Sequence, residues 1–91
     1  MLTKKQIERI EDKLNYASVT IAEHEHRIEK IADDDSISEE EKNTWIEKRR
    51  EIIRDKIVRI DAIIDTAFIL GYLAKIKVGD DGVYYYSLER I

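Results

Sequence analysis

The chain opens with a heptad pattern of apolar residues. Side chains recur at alternating spacings of three and four, at Ile7, Ile10, Leu14, Ala17, Ile21, His24, Ile28 and Ile31, and only the histidine is polar. This spacing keeps every member on one helix face, and its persistence is typical of a coiled coil or a helical hairpin. The pattern predicts helix 1 over residues 3–32, beginning at a capping box formed by Thr3 and Gln6.

An acidic turn over residues 33–37 separates this helix from the next. Its three consecutive aspartates oppose the dipole at a helix C-terminus, so helix 1 should end near Ala32. Ser36 or Ser38 is placed to cap a second helix. We predict helix 2 over residues 38–70, antiparallel to helix 1 because the connection is short.

The second half of helix 2 carries apolar residues on two separate arcs. The broad arc contains Ile57, Ile60, Ile63, Ile64, Ala67, Phe68 and Leu70. The narrow arc contains Val58, Ala62 and Ile69. Helix 1 can cover only part of the broad arc, so the narrow arc requires another partner.

A β-hairpin is predicted over residues 72–88. Gly71 suits the position that ends helix 2, and the run from Gly79 to Gly82 forms a turn between two segments rich in strand formers. Helix 2 could instead continue through Ile76 and leave a shorter hairpin. An isolated two-stranded hairpin is marginally stable, so we expect it to pack on the broad arc of helix 2.

Composition supports one small, mainly helical domain over residues 1–91. Charged residues make up 40% of this 10.8 kDa chain, as in long helices and coiled coils. The absence of cysteine excludes disulfides, thiol nucleophiles and thiolate zinc sites. The net charge of -4 marks a small acidic protein with no global reason to bind nucleic acid. We expect a cytoplasmic protein, because no apolar run follows the N-terminal lysines and no window could span a bilayer.

The predicted fold is an antiparallel two-helix hairpin, resembling a coiled coil, followed by the small C-terminal β-hairpin. Two helices and a two-stranded ribbon cannot enclose a core, yet the chain contains 16 isoleucines. We therefore expect association into a helical-bundle oligomer, with Val58, Ala62, Ile69 and His24 along its seam. A homodimer is the simplest arrangement, and a different partner protein could cover the same apolar side chains.

Few residues are placed for chemistry. His24 and His26 lie about 200° apart on a helix, so they cannot bind one metal ion. His24 at a core position either fixes the register of the helices or, once protonated, loosens an oligomer at mildly acid pH. No nucleophile–base pair, carboxylate pair in a cleft or glycine-rich phosphate loop is present. We expect neither an enzyme nor a bound cofactor or metal.

Charge is segregated along helix 2. The segment from Lys48 to Arg59 contains six basic and two acidic residues, whereas residues 33–41 contain six acidic residues and no basic one. One interpretation pairs the basic segment with helix 1, placing Glu23 near Lys48 and Asp12 near Arg59. The other is a basic belt that binds phosphate or an acidic partner. Its candidate contacts are Arg49, Arg50, Arg54 and Arg59.

Three consecutive tyrosines occupy the second strand. Strand periodicity puts Tyr84 and Tyr86 on one face and Tyr85 on the other. They either cover a sheet face or contact a partner, since tyrosine is enriched in binding surfaces.

The segment from Leu70 to Leu88 resembles the end of a winged-helix DNA-binding domain. In that family a Gly-aromatic-Leu turn closes the recognition helix and a β-hairpin wing follows. The resemblance covers about a fifth of the chain and implies DNA binding. Upstream the chain departs from that family, which requires a short helix, a turn and a recognition helix. Helix 2 has no Gly, Asn or Pro after Thr44 to form such a turn. The wing also carries Asp80 and Asp81, where phosphate contact would favour basic residues.

These features favour a non-catalytic oligomeric interaction protein: an adaptor, inhibitor or assembly factor. Its size and composition suit a phage or other mobile element. One alternative is a winged-helix-like DNA-binding regulator, whose salt-sensitive binding would be lost on replacing Arg49, Arg50 and Arg54. The other is an oligomer that binds a small anion or nucleotide between basic helix faces.

Overall fold

The computed structural model describes every residue from Met1 to Ile91. Helix α1 spans Lys4–Ala32, helix α2 spans Glu39–Ile69, strand β1 spans Tyr72–Val78 and strand β2 spans Tyr84–Arg90. The predicted order of two long helices followed by a two-stranded antiparallel hairpin is confirmed. The molecule is a rod of 53 × 25 × 17 Å.

Side chains fix the start of both helices. The Gln6 amide donates to the Thr3 hydroxyl at 3.2 Å and the Thr3 amide donates to the Gln6 side chain at 2.8 Å, which confirms the capping box. The Glu41 amide donates to the Ser38 hydroxyl at 3.2 Å, so Ser38 caps α2. Ser36 instead donates to Asp34 within the acidic turn.

The helix interface follows the predicted heptad on α1 and a less apolar heptad on α2. Each apolar α1 position from Ile7 to Ile31 is buried or half-buried. On α2 the positions protected from solvent are Lys42, Ile46, Arg49, Ile53, Lys56, Ile60, Ile63 and Ala67, together with Ile64 beside this heptad. Three basic residues, each seven apart, therefore line the seam between the helices. A search for apolar positions does not find these three residues, because all of them are basic.

Gly71 joins α2 to the hairpin with a positive φ of 93°, a conformation that favours glycine and ends the helix as predicted. The strand register runs from Tyr72 opposite Arg90 to Val78 opposite Tyr84. Strand β2 extends two residues beyond the predicted end at residue 88. The alternative of a helix continuing through residue 76 is wrong.

The hairpin packs on the broad arc of α2, as expected, and it also packs on α1. Strand β1 lies against α2, and β2 lies against α1. The reason is a set of polar side chains on α1, Glu11, Asn15 and Ser18, which donate to or accept from the backbone of β2. Apolar patterning gave no indication of these bonds.

The core occupies one end of the rod. Only eight of the 91 residues are buried, and the six apolar ones are Leu14, Ala17, Ile60, Ala67, Tyr72 and Leu88. We call residues 4–21 and 57–91, which contain all six, the covered end. We call residues 22–56 the open end, because no third layer lies over its two helices. Its one buried residue is Lys42.

Candidate functional site

An exposed apolar strip follows the outer side of α2. All three residues of the predicted narrow arc, Val58, Ala62 and Ile69, are exposed. Val58 and Ile69 retain 67% and 82% of their accessible surface. We call these three residues the α2 flank. Phe68 and Leu70, assigned to the broad arc, are also exposed. The hairpin and α1 therefore cover only part of the apolar surface of α2.

The chain exposes more surface than a compact protein of its mass. The accessible area is 6878 Å², whereas the scaling law for folded monomers gives about 5,500 Å². The radius of gyration is 16.3 Å, against about 12 Å for a compact domain of this length. A typical stable interface buries about 800 Å² on each partner. The excess surface is thus larger than the area that such an interface buries on each partner.

The basic segment of α2 makes no ion pair with α1. The three ion pairs join Lys42 to Glu39, Arg54 to Glu47 and Lys75 to Glu89. The predicted proximity of Asp12 and Arg59 is confirmed, since both line one groove, but neither Asp12 nor Glu23 forms an ion pair with the basic segment. The residues of the basic segment that face α1 are Arg49 and Lys56, whereas Lys48 and Arg59 lie on exposed positions beside the seam.

Of the four candidate arginines, two have side-chain partners. Arg54 donates to Glu47 at 2.7 Å, a bond between exposed groups on the same helix that raises the pKa of Arg54 and lowers that of Glu47. Arg50 and Arg59 are exposed and make no side-chain hydrogen bond or ion pair. Both remain accessible to a ligand or partner.

Arg49 contacts His24 across the helix interface. Its Nη1 lies 2.8 Å from His24 Nδ1. Because a guanidinium only donates, Nδ1 must accept and the imidazole is neutral. Partial burial, and then the charge of Arg49, lower the pKa of His24. His24 therefore lies between the two helices of one chain, and its position at an oligomer seam stays a prediction.

Lys42 closes the far end of the hairpin. Its ammonium donates to the carbonyl of Ala32 at 3.1 Å and lies 3.7 Å from Glu39. The contact places a positive charge at the C-terminus of α1, where the helix dipole favours one. Lys42 is thus a structural residue of the open end.

A shallow groove lies between the helices where the covered end meets the open end. It encloses about 510 Å³ and is lined by Asp12, Lys13, Tyr16, Ala17, Lys56, Arg59 and Ile63. We call it the basic groove, since three cations and one carboxylate line it. None of these cations has an ion-pair partner within 4.0 Å.

The tyrosines alternate between the two faces of the hairpin, as the strand period predicts. Tyr84 and Tyr86 share the helix-facing side with buried Leu88. Burial, and then the charge of Asp61, raise the pKa of Tyr86. Tyr85, on the outer side, donates its hydroxyl to Asp81 at 3.0 Å, which raises the pKa of Tyr85. The Val83 amide, and then this hydroxyl, lower the pKa of Asp81. Tyr84 is the most exposed of the three and is available for a partner.

Two further features of the structure bear on function. No group of three or more His, Cys, Asp or Glu side chains is placed to hold a metal ion. None of the helices has both the length and the apolar character needed to cross a bilayer.

Comparison with protein families, characterised proteins and solved structures finds no significant match to this chain.

Proposed function

We propose that the protein is a non-catalytic protein-interaction protein that assembles as a homodimer through the α2 flank. The observation that carries the proposal is the exposure of Val58, Ala62 and Ile69 on a molecule that already exposes excess surface. Burying a side chain such as Val or Ile stabilises by about 1.5–3 kcal/mol only where water is excluded. A second copy can exclude that water with the same surface.

The role we favour is that of an adaptor, inhibitor or assembly factor. Arg50, Arg59 and Tyr84 support it, because all three are exposed and their side chains make no hydrogen bond or ion pair within the chain. Arginine and tyrosine are enriched where proteins bind one another. The dimer would present two copies of this set.

Matched lysine substitutions test the dimer. Ile69→Lys introduces a charge into the α2 flank, and Tyr16→Lys introduces the same charge at an exposed position on α1. Neither residue is part of the core, so both variants should fold. We expect Ile69→Lys to weaken dimerisation by about two orders of magnitude, since two copies of the side chain are lost from the interface. Light scattering should then give 10.8 kDa for Ile69→Lys and twice that for Tyr16→Lys. Equal masses would contradict the proposed interface.

The basic groove favours a second candidate function, the binding of a small anion. Lys13, Lys56 and Arg59 converge on one groove without ion-pair partners. Inorganic phosphate, pyrophosphate and ATP should then raise the melting temperature, and the double variant Lys56→Gln, Arg59→Gln should abolish the shift. Replacement of Lys4 and Lys5, which are exposed and lie outside the groove, is the matched control.

A further inference from the structure

The two outer edges of the β-hairpin have opposite surroundings. Along β2, the Ser18 hydroxyl donates to the carbonyl of Tyr84 at 2.6 Å, and the Leu88 amide donates to Glu11 at 2.8 Å. Between them the Asn15 side chain accepts from the Tyr86 amide at 2.6 Å and donates to its carbonyl at 3.3 Å. Helix α1 therefore occupies this edge in the way that a third strand would.

The outer edge of β1 has no such partner. Bonds from Gly79 to Val83 and from Ile91 to Gly71 mark hydrogen-bonded pairs at both ends of the ladder. In an antiparallel ladder these pairs alternate, so the backbone groups of Ala74, Ile76 and Val78 point away from β2. No hydrogen bond from a helix or side chain reaches these three residues.

The side chains along this edge define what could pair with it. Ile76 and Val78 lie on the helix-facing side of the hairpin, the side of buried Tyr72, yet each is 58% exposed. Lys75 and Lys77 lie on the opposite side. Lys75 pairs with Glu89 at 3.7 Å, whereas Lys77 has no acidic partner. A strand placed here would meet apolar surface on one side and positive charge on the other.

A second copy of β1 does not fit this charge pattern. If two β1 strands pair antiparallel about Ile76, Lys75 of each lies opposite Lys77 of the other. Shifting the register by two residues either way places Lys75 or Lys77 opposite itself. Like charges directly opposite one another destabilise a strand pair, and lysines at an edge are a common guard against self-pairing.

We propose that the outer edge of β1 binds an extended segment of a partner protein as a third strand. The segment alternates apolar residues, which cover Ile76 and Val78, with acidic residues, which face Lys75 and Lys77. Backbone hydrogen bonds to Ala74, Ile76 and Val78 supply affinity, and the alternating side chains supply specificity. The inference rests on the proposed role as an interaction protein but does not require the α2 flank or a dimer.

Amide hydrogen exchange of the full chain tests the proposal. The probes are two capped peptides, Ser-Val-Glu-Val-Glu-Val-Ser and its Ser-Val-Lys-Val-Lys-Val-Ser counterpart, at millimolar concentration. The acidic peptide should protect the outward amides of Ala74, Ile76 and Val78 at least tenfold. The amides of Lys75 and Lys77, already bonded to β2, should change little. The basic peptide should protect none of them.

A charge reversal with a matched control tests the specificity. Lys77→Glu should weaken binding of the acidic peptide about fivefold and give measurable binding of the basic one. Lys48→Glu, which makes the same change in net charge on exposed α2, should leave both results unchanged.

Three results would overturn the proposal. They are the absence of protection with the acidic peptide, equal protection by both peptides, and concentration-dependent protection of the same amides without peptide, which would identify a second copy as the occupant. A monomeric mass alongside peptide protection would refute the dimer alone. A dimeric mass without protection would refute the edge-binding proposal alone.

Discussion

The covered end and the open end use the same two helices but are held together differently. At the covered end Leu14, Ala17 and Ile60 pack beneath the β-hairpin, and three α1 side chains bind the backbone of β2. At the open end the seam is partly polar, with Lys42 against a helix C-terminus and Arg49 against His24. A regular heptad on α1 therefore does not ensure a uniform core, since the partner helix and the third layer decide how much water is excluded.

The largest expected difference comes from truncating one apolar side chain at each end. Leu14, with no exposed surface, should lose about 2–5 kcal/mol of unfolding free energy on Leu14→Ala because a cavity forms. Ile28 is only half-buried at the open end, so Ile28→Ala should cost less than half as much. Urea unfolding of both variants at one protein concentration measures the two losses. Equal losses would remove the distinction between the ends.

The next prediction concerns the two hydrogen bonds between Asn15 of α1 and the backbone of Tyr86 in β2. Asn15→Ala leaves the amide and carbonyl of Tyr86 without their partner. We expect a loss of about 1–3 kcal/mol of unfolding free energy and faster exchange of the Tyr86 amide. Asn43→Ala is the control, because Asn43 is exposed on α2 and makes no side-chain hydrogen bond. An Asn15→Ala variant as stable as the control would refute the role of Asn15.

A smaller effect is expected at the far tip of the open end. Lys42→Met keeps the aliphatic stem but removes the charge that contacts the carbonyl of Ala32. The loss should be about 0.3–1 kcal/mol, typical of a charge at a helix end. Thermal unfolding of Lys42→Met beside Lys48→Met, which changes an exposed lysine, measures it. A larger loss for Lys48→Met would contradict the assignment.

The smallest expected effect is the pH dependence of the His24 contact. Its folded-state pKa lies below the ordinary value of 6.5, because of partial burial and then Arg49, with Arg27 and Lys56 adding to the shift and Glu23 opposing it. The unfolded chain therefore binds the proton more tightly than the folded one. The contribution of neutral His24 to the free energy of unfolding is therefore complete above pH 6.5 and decreases as the pH falls below that value.

Melting temperatures at pH 7.5 and pH 5.5 test this sign. The decrease on acidification should be smaller in His24→Gln than in the unaltered chain. It should persist in His26→Gln, because His26 is exposed and lies outside the helix interface. An identical pH dependence for all three proteins would show that the His24 contact does not contribute.

The elements of the fold could be predicted from local signals. Both helices and the hairpin could be predicted to within two residues of their observed bounds. The signals were the capping box of Thr3 and Gln6, the acidic turn, Gly71 and the change of period after it. Each signal acts through bonds or conformations of neighbouring residues, so it can be read from the chain itself.

The placement of the hairpin and the composition of the helix seam could not be read in this way. The bond between Asn15 and Tyr86 joins residues 71 positions apart, and a polar side chain on a helix gives no sign that a strand will cover it. Lys42, Arg49 and Lys56 were detectable in principle, since they share a heptad with Ile46, Ile53 and Ile60. Their basic character assigned them to the surface instead, although their long stems allow them to line an interface.

Sedimentation equilibrium of the unaltered chain, diluted through the micromolar range, tests the central claim that the exposed flank of α2 requires a second copy. We expect a species of twice 10.8 kDa, with a melting temperature that rises with protein concentration. A folded species of 10.8 kDa whose melting temperature does not depend on concentration would contradict the account.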